Sequence, residues 1–203
     1  MRRPIITEAD VLALEPGTIL PVPPDALITP AAQDRARERG IEIRRSPHFS
    51  GETIAIGADH VGFALKERVK VWLIELGYEV RDFGTFDEQP VDYPDIAYRV
   101  ARAVSRGEVA RGILLDGAGI GSCIVANKLP GVRAALCYDR ATARNSREHN
   151  DANVLTLGAR SLDEPRAREI ILVWLTHHLT EERHRRRIEK IRDIERRYLK
   201  SVG

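Results

Sequence analysis

Residues 110–128 read ARGILLDGAGIGSCIVANK. ARGILLD (110–116) is apolar without alternation, the pattern of a strand buried on both faces of a parallel sheet. It ends in an aspartate, Asp116. GAGIGS (117–122) then turns the chain into a segment of helical character over about 120–128. A glycine-rich turn at a helix start exposes backbone N–H groups and a partial positive charge, which suits a phosphate or a developing oxyanion. The plain alternative is a tight turn with a capping aspartate, and this segment alone leaves both open.

The flanking sequence repeats the same unit. TIAIGA (53–58) is a short apolar strand followed by Asp59-His60, and Phe63, Val69, Trp72, Leu73 and Leu76 recur at helical spacing up to Gly77. YEVRDFG (78–84) is a second strand. Tyr93-Pro94-Asp95 opens a helix through Val104, with Pro94 in its first turn. RAALCYD (133–139) and NVLTLGA (153–159) complete five strands, with helices near 140–148, 164–178 and 180–200. Strands alternating with helices predict an α/β fold: a Rossmann-like, doubly wound parallel sheet of about five strands with a long C-terminal helix and a small N-terminal appendage. Ligands of such sheets lie beyond the carboxyl ends of the strands. Asp59, His60, Asp116 through Ser122, Asp139 and Arg160 are therefore the first candidates.

Two familiar loops are excluded as the main reading. A dinucleotide site needs G-x-G-x-x-G. Here Gly117 and Gly119 are followed by Gly121, one residue early, and Ser122 holds the third-glycine place, although Asp139 sits where the ribose-binding acid would. A P-loop lacks its Gly-Lys-Ser/Thr.

Of 203 residues, 43% are hydrophobic and 31% charged, enough for a domain-sized core plus an appendage. No apolar run approaches a membrane span, and MRRPIITEADVLALEPG has no apolar signal core. Cys123 and Cys137 are too few for a disulfide framework or a four-cysteine zinc site and fit a reducing cytoplasm. A net charge of +2 gives no argument for nucleic acid. The run Arg183 to Arg187, RHRRR, is either a solvated helix face or an anion site; Arg183 and Arg187 lie one turn apart and share a face. His149-Asn150-Asp151 is turn chemistry on one reading and carries a proton-shuttling histidine on the other.

GADHVGFALK (57–66), DYPDIA (92–97), GAGIGS…ANK (117–128), PGVRAAL (130–136), SREHNDANVLTLGAR (146–160) and RHRRRIEKI (183–191) together resemble the ribose-5-phosphate isomerase B type, a family that includes the galactose-6-phosphate isomerase subunits. The resemblance runs in order from about 52 to 195. It implies an aldose–ketose isomerase working through a cis-enediolate. It also implies no metal or cofactor, and a homodimer or tetramer with active sites between subunits. Carried over, His149 assists ring opening and Asn150 holds substrate. Asp59, His60 and Tyr93 contact the sugar or its phosphate. The N–H groups of Gly117 to Ser122, among them Gly119 and Gly121, stabilise the enediolate. Arg183 and Arg187, with Arg160, grip the phosphate, some from the partner subunit.

The departure is Asp116. Many members of the family carry a cysteine there, whose thiolate moves the proton between C1 and C2; another branch uses a glutamate at the place of Ser122. This sequence has neither. Three readings follow: Asp116 is the base; Cys123 is the base through a shifted loop; or the chain binds a sugar phosphate without turning it over, or works beside a different subunit.

Residues 1–46 form the appendage, with 47–51 as linker and 52–203 as the isomerase domain. The appendage holds several prolines, one strand-like stretch and one short helix, started by Thr29-Pro30 and stopped by Gly40. No internal repeat is evident. ITPAAQDRARERGI (28–41) resembles N-terminal pieces of bacterial microcompartment-associated proteins. That implies a shell or cargo partner and a place inside such a compartment; the other reading is a docking element that extends the dimer interface.

Overall fold

Five parallel strands make the central sheet of the computed structural model, which describes residues 4–22, 26–45 and 52–199. The proposed linker at 47–51 lies outside the described residues. Ahead of the sheet come β1 (Ile5–Ile6), α1 (Glu8–Leu12), β2 (Ile19–Val22), β3 (Leu27–Ile28), α2 (Pro30–Glu38) and β4 (Glu42–Arg45). The sheet region then runs β5 (Thr53–Ala58), α3 (Phe63–Glu75), β6 (Glu79–Asp82), α4 (Tyr93–Ser105), β7 (Arg111–Asp116), α5 (Ile120–Ala126), β8 (Ala134–Leu136), α6 (Arg140–Glu148), β9 (Val154–Gly158), α7 (Glu164–Thr176) and α8 (Glu182–Leu199). The strand order is β6-β5-β7-β9-β8. The chain steps from β5 to β6 on one side and then crosses to β7 on the other side of β5, so the crevice between β5 and β7 is the switch point where such sheets hold ligands.

β7 is the central strand and is buried from Gly112 to Asp116, as its unbroken apolar run demands. One face of the sheet packs Ile54, Ile56, Ile113, Leu115, Leu155 and Leu157 under α3, α6 and α7. The other packs Ala55, Leu114 and Val154 under Val100 and Val104 of α4 and Ala126 of α5. The edge strand β8 is shorter than RAALCYD suggests. Its last residues, Cys137 to Asp139, turn away to start α6, where Asp139 caps the helix by accepting from Thr142 N at 2.7 Å. The Thr142 amide and hydroxyl hold that carboxyl below its ordinary range. Asp139 is thus a cap rather than a ligand of the crevice.

α3 contains a lysine with no solvent access. Lys66 is 0% exposed, and its Nζ lies 2.8 and 2.6 Å from the two carboxylate oxygens of Asp82 at the end of β6. Phe63 and Phe86 rings flank the ammonium.

Residues 4–45 contain more structure than one strand and one helix, and they do repeat. Two β-α-β units follow each other, each with a threonine (Thr7, Thr29) before its helix and a left-handed glycine (Gly17, Gly40) after it. They are interleaved: β1 pairs with β3 (Ile5↔Leu27) and β2 with β4 (Ile19↔Glu42), all parallel. Strands of two and four residues are too short to leave a periodic trace, which is why the repeat is invisible in sequence. Val11, Leu14 and Leu20 are fully buried in the same apolar cluster as Trp72 and Leu172 of the α3/α7 face. Buried Asp10 meets Arg168 of α7 at 2.9 Å, and Glu15 meets Arg140 of α6 at 3.0 Å.

Candidate active site

Three strand ends and one helix start converge at the switch point. Asp59 N donates to Leu115 O at 3.1 Å, and Asp59 Oδ1 accepts from Gly62 N at 2.9 Å, which folds the turn after β5 onto the end of β7. Gly62 permits this: a Cβ there would lie 2.5 Å from Leu115 O. His60 Nδ1 accepts from Val91 N at 3.3 Å, tying the loop before α4 to the same turn. Tyr93, at the first position of α4, lays its ring against Gly121, where an added Cβ would come within 2.5 Å of it. After β9, Ala159 N donates to Asp116 O and Arg160 N to Gly117 O, at 2.8 and 3.1 Å. The Arg160 side chain passes beside Gly117.

Asp116 is 4% exposed and turned inward onto its own loop. Oδ1 accepts from Ala118 N at 2.9 Å and from Gly119 N; Oδ2 accepts from Ser122 N at 2.9 Å. The aspartate therefore caps the turn, as the plain alternative expects. The expectation that all N–H groups from Gly117 to Ser122 face an enediolate is corrected in one respect: those of Ala118, Gly119 and Ser122 already hold a carboxylate. A carboxylate oxygen has two lone pairs. Oδ1 spends both on the loop and Oδ2 only one, so Oδ2 is the oxygen with room for a proton.

Gly119 fixes the loop. Its φ is +76°, and a Cβ would meet Leu136 Cδ1 at 2.5 Å and the Leu157 carbonyl carbon at 2.8 Å. Gly119→Ala is expected to lower the melting temperature and turnover together, because both the left-handed conformation and the contact oppose a side chain. Thermal unfolding and a rate assay on the same preparation would check this.

Cys123 Sγ points to the carbonyl of Ala134 at 3.5 Å, toward β8. Its thiol is engaged with that carbonyl and with the Asn127 amide at 3.6 Å. Cys137 is buried, and burial pushes its thiol up to about 11, so it stays protonated at neutral pH.

The remaining candidates lie elsewhere in the subunit. His149 caps the C-terminal end of α6, which runs antiparallel to the strands it joins. Arg133, just before β8, donates to Asn150 O at 3.2 Å, so Asn150 sits at the amino end of the sheet. Strand register places Asp116 four residues beyond the row of Gly112, Val154 and Ala134, about 13 Å of strand. His184 of α8 stacks on His149 with ring centroids 4.1 Å apart, which puts the start of α8 at that same end. Arg183 pairs with Glu181 at 2.6 Å, and Arg187 is exposed. One copy therefore gathers Asp59, His60, Tyr93, Asp116 to Ser122 and Arg160 at one end, and His149, Asn150 and Arg183 at the other.

The sequence of residues 54–191 matches the model of the family described as Ribose/Galactose Isomerase. Ribose-5-phosphate isomerase B of Escherichia coli is 46% identical over 144 residues, 71% of this chain and 97% of that protein. D-erythrulose-4-phosphate isomerase of Pectobacterium atrosepticum is 47% identical over 126 residues, covering 61% of this chain and 82% of that one. Among solved structures, ribose-5-phosphate isomerase B of Clostridium thermocellum superposes with a TM-score of 0.70 at 48% identity, over 72% of this chain and 99% of that one. The Mycoplasma genitalium enzyme with bound ribulose-5-phosphate does so with a TM-score of 0.70 at 36% identity, over 72% of this chain and 98% of that one. Fold, loop and sequence agree, and the chain belongs to the Ribose/Galactose Isomerase family.

Proposed function

We propose that the protein interconverts an aldose phosphate and a ketose phosphate, ribose 5-phosphate and ribulose 5-phosphate in the first instance, with Asp116 as the base. The observation that supports this is the buried carboxylate at the end of β7, set between Asp59-His60 and Arg160 with one Oδ2 lone pair unused. Asp116 takes the C2 proton of the open-chain aldose, the electrons move to the C1 carbonyl oxygen, and a cis-enediolate forms; the C2 hydroxyl proton then passes to the C1 oxygen, and Asp116 returns the carbon proton to C1 as the C2 carbonyl forms. The free N–H groups of the loop hold the enediolate oxygens. Asp59, His60 and Tyr93 orient the hydroxyls, His149 opens the sugar ring, and Asn150 holds the chain. Arg160, Arg183 and Arg187 take the phosphate. No step calls on a metal or a cofactor.

Because His149 and Asn150 lie at the opposite end of the subunit from Asp116, a complete site draws on two copies. The outer edge of β8 is open in the sheet order, and Ile120, Ile124, Ile191 and Ile194 beside it are about half exposed, as an isologous dimer contact requires. Mixing, by unfolding and refolding together, an Asp116→Asn variant with a His149→Ala variant should restore about a quarter of the wild-type rate, since half the random dimers carry one intact site. No recovery would mean that each site is built within one copy.

Three N–H groups on the Asp116 carboxylate also favour a second reading, in which the loop is locked and the protein binds sugar phosphate without turnover. Solvent-deuterium exchange at C2 across several aldose phosphates separates the two: exchange is expected, and binding without exchange would establish the second reading. For residues 4–45, exposed Ile5 and Leu27, register partners on β1 and β3, support a docking role toward a shell or cargo protein of a cytoplasmic microcompartment.

A further inference from the structure

Asn145 takes no part in the proposed proton transfer. It lies on α6, one turn before His149, so the two side chains share a helix face. Its Nδ2 is 2.8 Å from His149 Nδ1, and its Oδ1 accepts from Asn150 Nδ2 at 3.4 Å. The second bond sets the orientation of the amide: an oxygen that faces the Asn150 donor leaves the NH2 end toward the imidazole. An NH2 group donates and does not accept. His149 Nδ1 is then the bare, accepting nitrogen, and the proton of the neutral ring lies on Nε2.

The face of the same ring is covered. His184 stacks on it with the planes 15° apart. His184 is 3% exposed, and neither of its ring nitrogens has a hydrogen-bond partner among the described residues; the Glu181 carboxylate stays 3.8 Å away. Burial first, then His149 and Arg183, hold its pKa below the ordinary value. A neutral ring thus packs on His149 and keeps water off that face, leaving the edge contact with Asn145 to choose the tautomer.

We infer that Asn145 is a positioning residue: its one amide fixes the His149 proton on Nε2 and binds Asn150 at the same time. The inference rests on the reading of His149 as the ring-opening group. In that step the bond from C1 to the ring oxygen breaks, and the ring oxygen takes the Nε2 proton. The anomeric hydroxyl then returns a proton to Nε2 as the C1 carbonyl forms. A ring protonated on Nδ1 instead presents no proton at Nε2 and cannot begin.

The test uses the full chain labelled with 15N at histidine. The wild type is expected to show an unprotonated Nδ1 for His149. Asn145→Leu should give a mixture of tautomers, and Asn145→Asp, which can only accept, should move the proton to Nδ1. Conversion of cyclic ribose 5-phosphate should fall about tenfold in Asn145→Leu and further in Asn145→Asp. Solvent-deuterium exchange into ribulose 5-phosphate, which has no ring to open, should fall far less than that conversion in both, by no more than the loosening of Asn150 costs. An unchanged His149 tautomer in the variants would overturn the inference, as would a changed tautomer with undiminished conversion of the cyclic sugar. Full activity in His149→Ala would instead remove the ring-opening role itself, an outcome distinct from either.

Discussion

Asp116→Asn should lower the rate of proton exchange at C2 by about a thousandfold, the usual scale for loss of a positioned general base, while sugar-phosphate affinity stays within a few-fold of wild type. The amide has nearly the shape of the carboxylate, and its oxygen can still accept from Ala118 and Gly119. Its NH2 end, however, would face the Ser122 N–H, where the wild-type Oδ2 accepts at 2.9 Å. A donor set against a donor costs about 1–3 kcal/mol, so some loss of stability accompanies the loss of rate. Asp116→Cys separates the two effects, because a thiolate can move the proton while it lacks two acceptor oxygens. Activity in Asp116→Cys with none in Asp116→Asn identifies a base. Wild-type turnover in Asp116→Asn sinks the idea, and inactivity of both with weakened binding makes Asp116 a cap alone.

The second large effect is on stability. Asp82→Asn leaves the Lys66 ammonium, 0% exposed, with only Glu67 as a carboxylate partner among the described residues, at 3.1 Å. Breaking a buried pair on one side costs about 3–5 kcal/mol, or a melting temperature lower by roughly 10 °C for a chain of this length. The effect has a direction in pH. Burial alone would raise the Asp82 carboxyl, but hydrogen bonds from Lys66, Lys70 and Gly84 N outweigh it and hold the group below its ordinary range. A carboxyl depressed on folding contributes stability that is complete above its unfolded pKa of about 3.9 and is lost as pH falls through the folded value. The stability gap between wild type and Asp82→Asn should therefore be level near neutrality and close in acid. Adding Lys66→Met to Asp82→Asn should recover most of the loss; a single-variant cost below about 1 kcal/mol would show that the pair is effectively solvated.

Much of the sheet was legible because its strands obey a simple rule. TIAIGA, GILLD and NVLTLG are buried on both faces, and a two-sided environment leaves unbroken apolar runs. The crevice followed, since strand ends locate ligands in this fold class. What sequence missed depends on pairing across distance. Lys66 falls three residues after Phe63 and three before Val69, on the face that packs against the sheet; a charge in an apolar stripe was the available signal for a buried partner. Asn145 stands four residues before His149, and that spacing on a helix marks a contact. The inward turn of Asp116 had no signal of its own, because a capping carboxylate and a catalytic one share the same residue and place. The family resemblance implied sites between subunits but gave no sign that His149 stands apart from Asp116; the winding of α6 supplies the physical reason.

The interleaving of the two N-terminal units sets where this chain can be cut. Among the described residues each unit's strands find their partners only in the other unit, β1 on β3 and β2 on β4, so neither half is a folding module by itself. A truncation that starts at residue 26 would leave β3 and β4 as single strands and strip the cover from Trp72 and Leu172. For anyone trimming, fusing or transplanting this segment, residues 4–45 behave as one indivisible clasp, carried whole or left out whole.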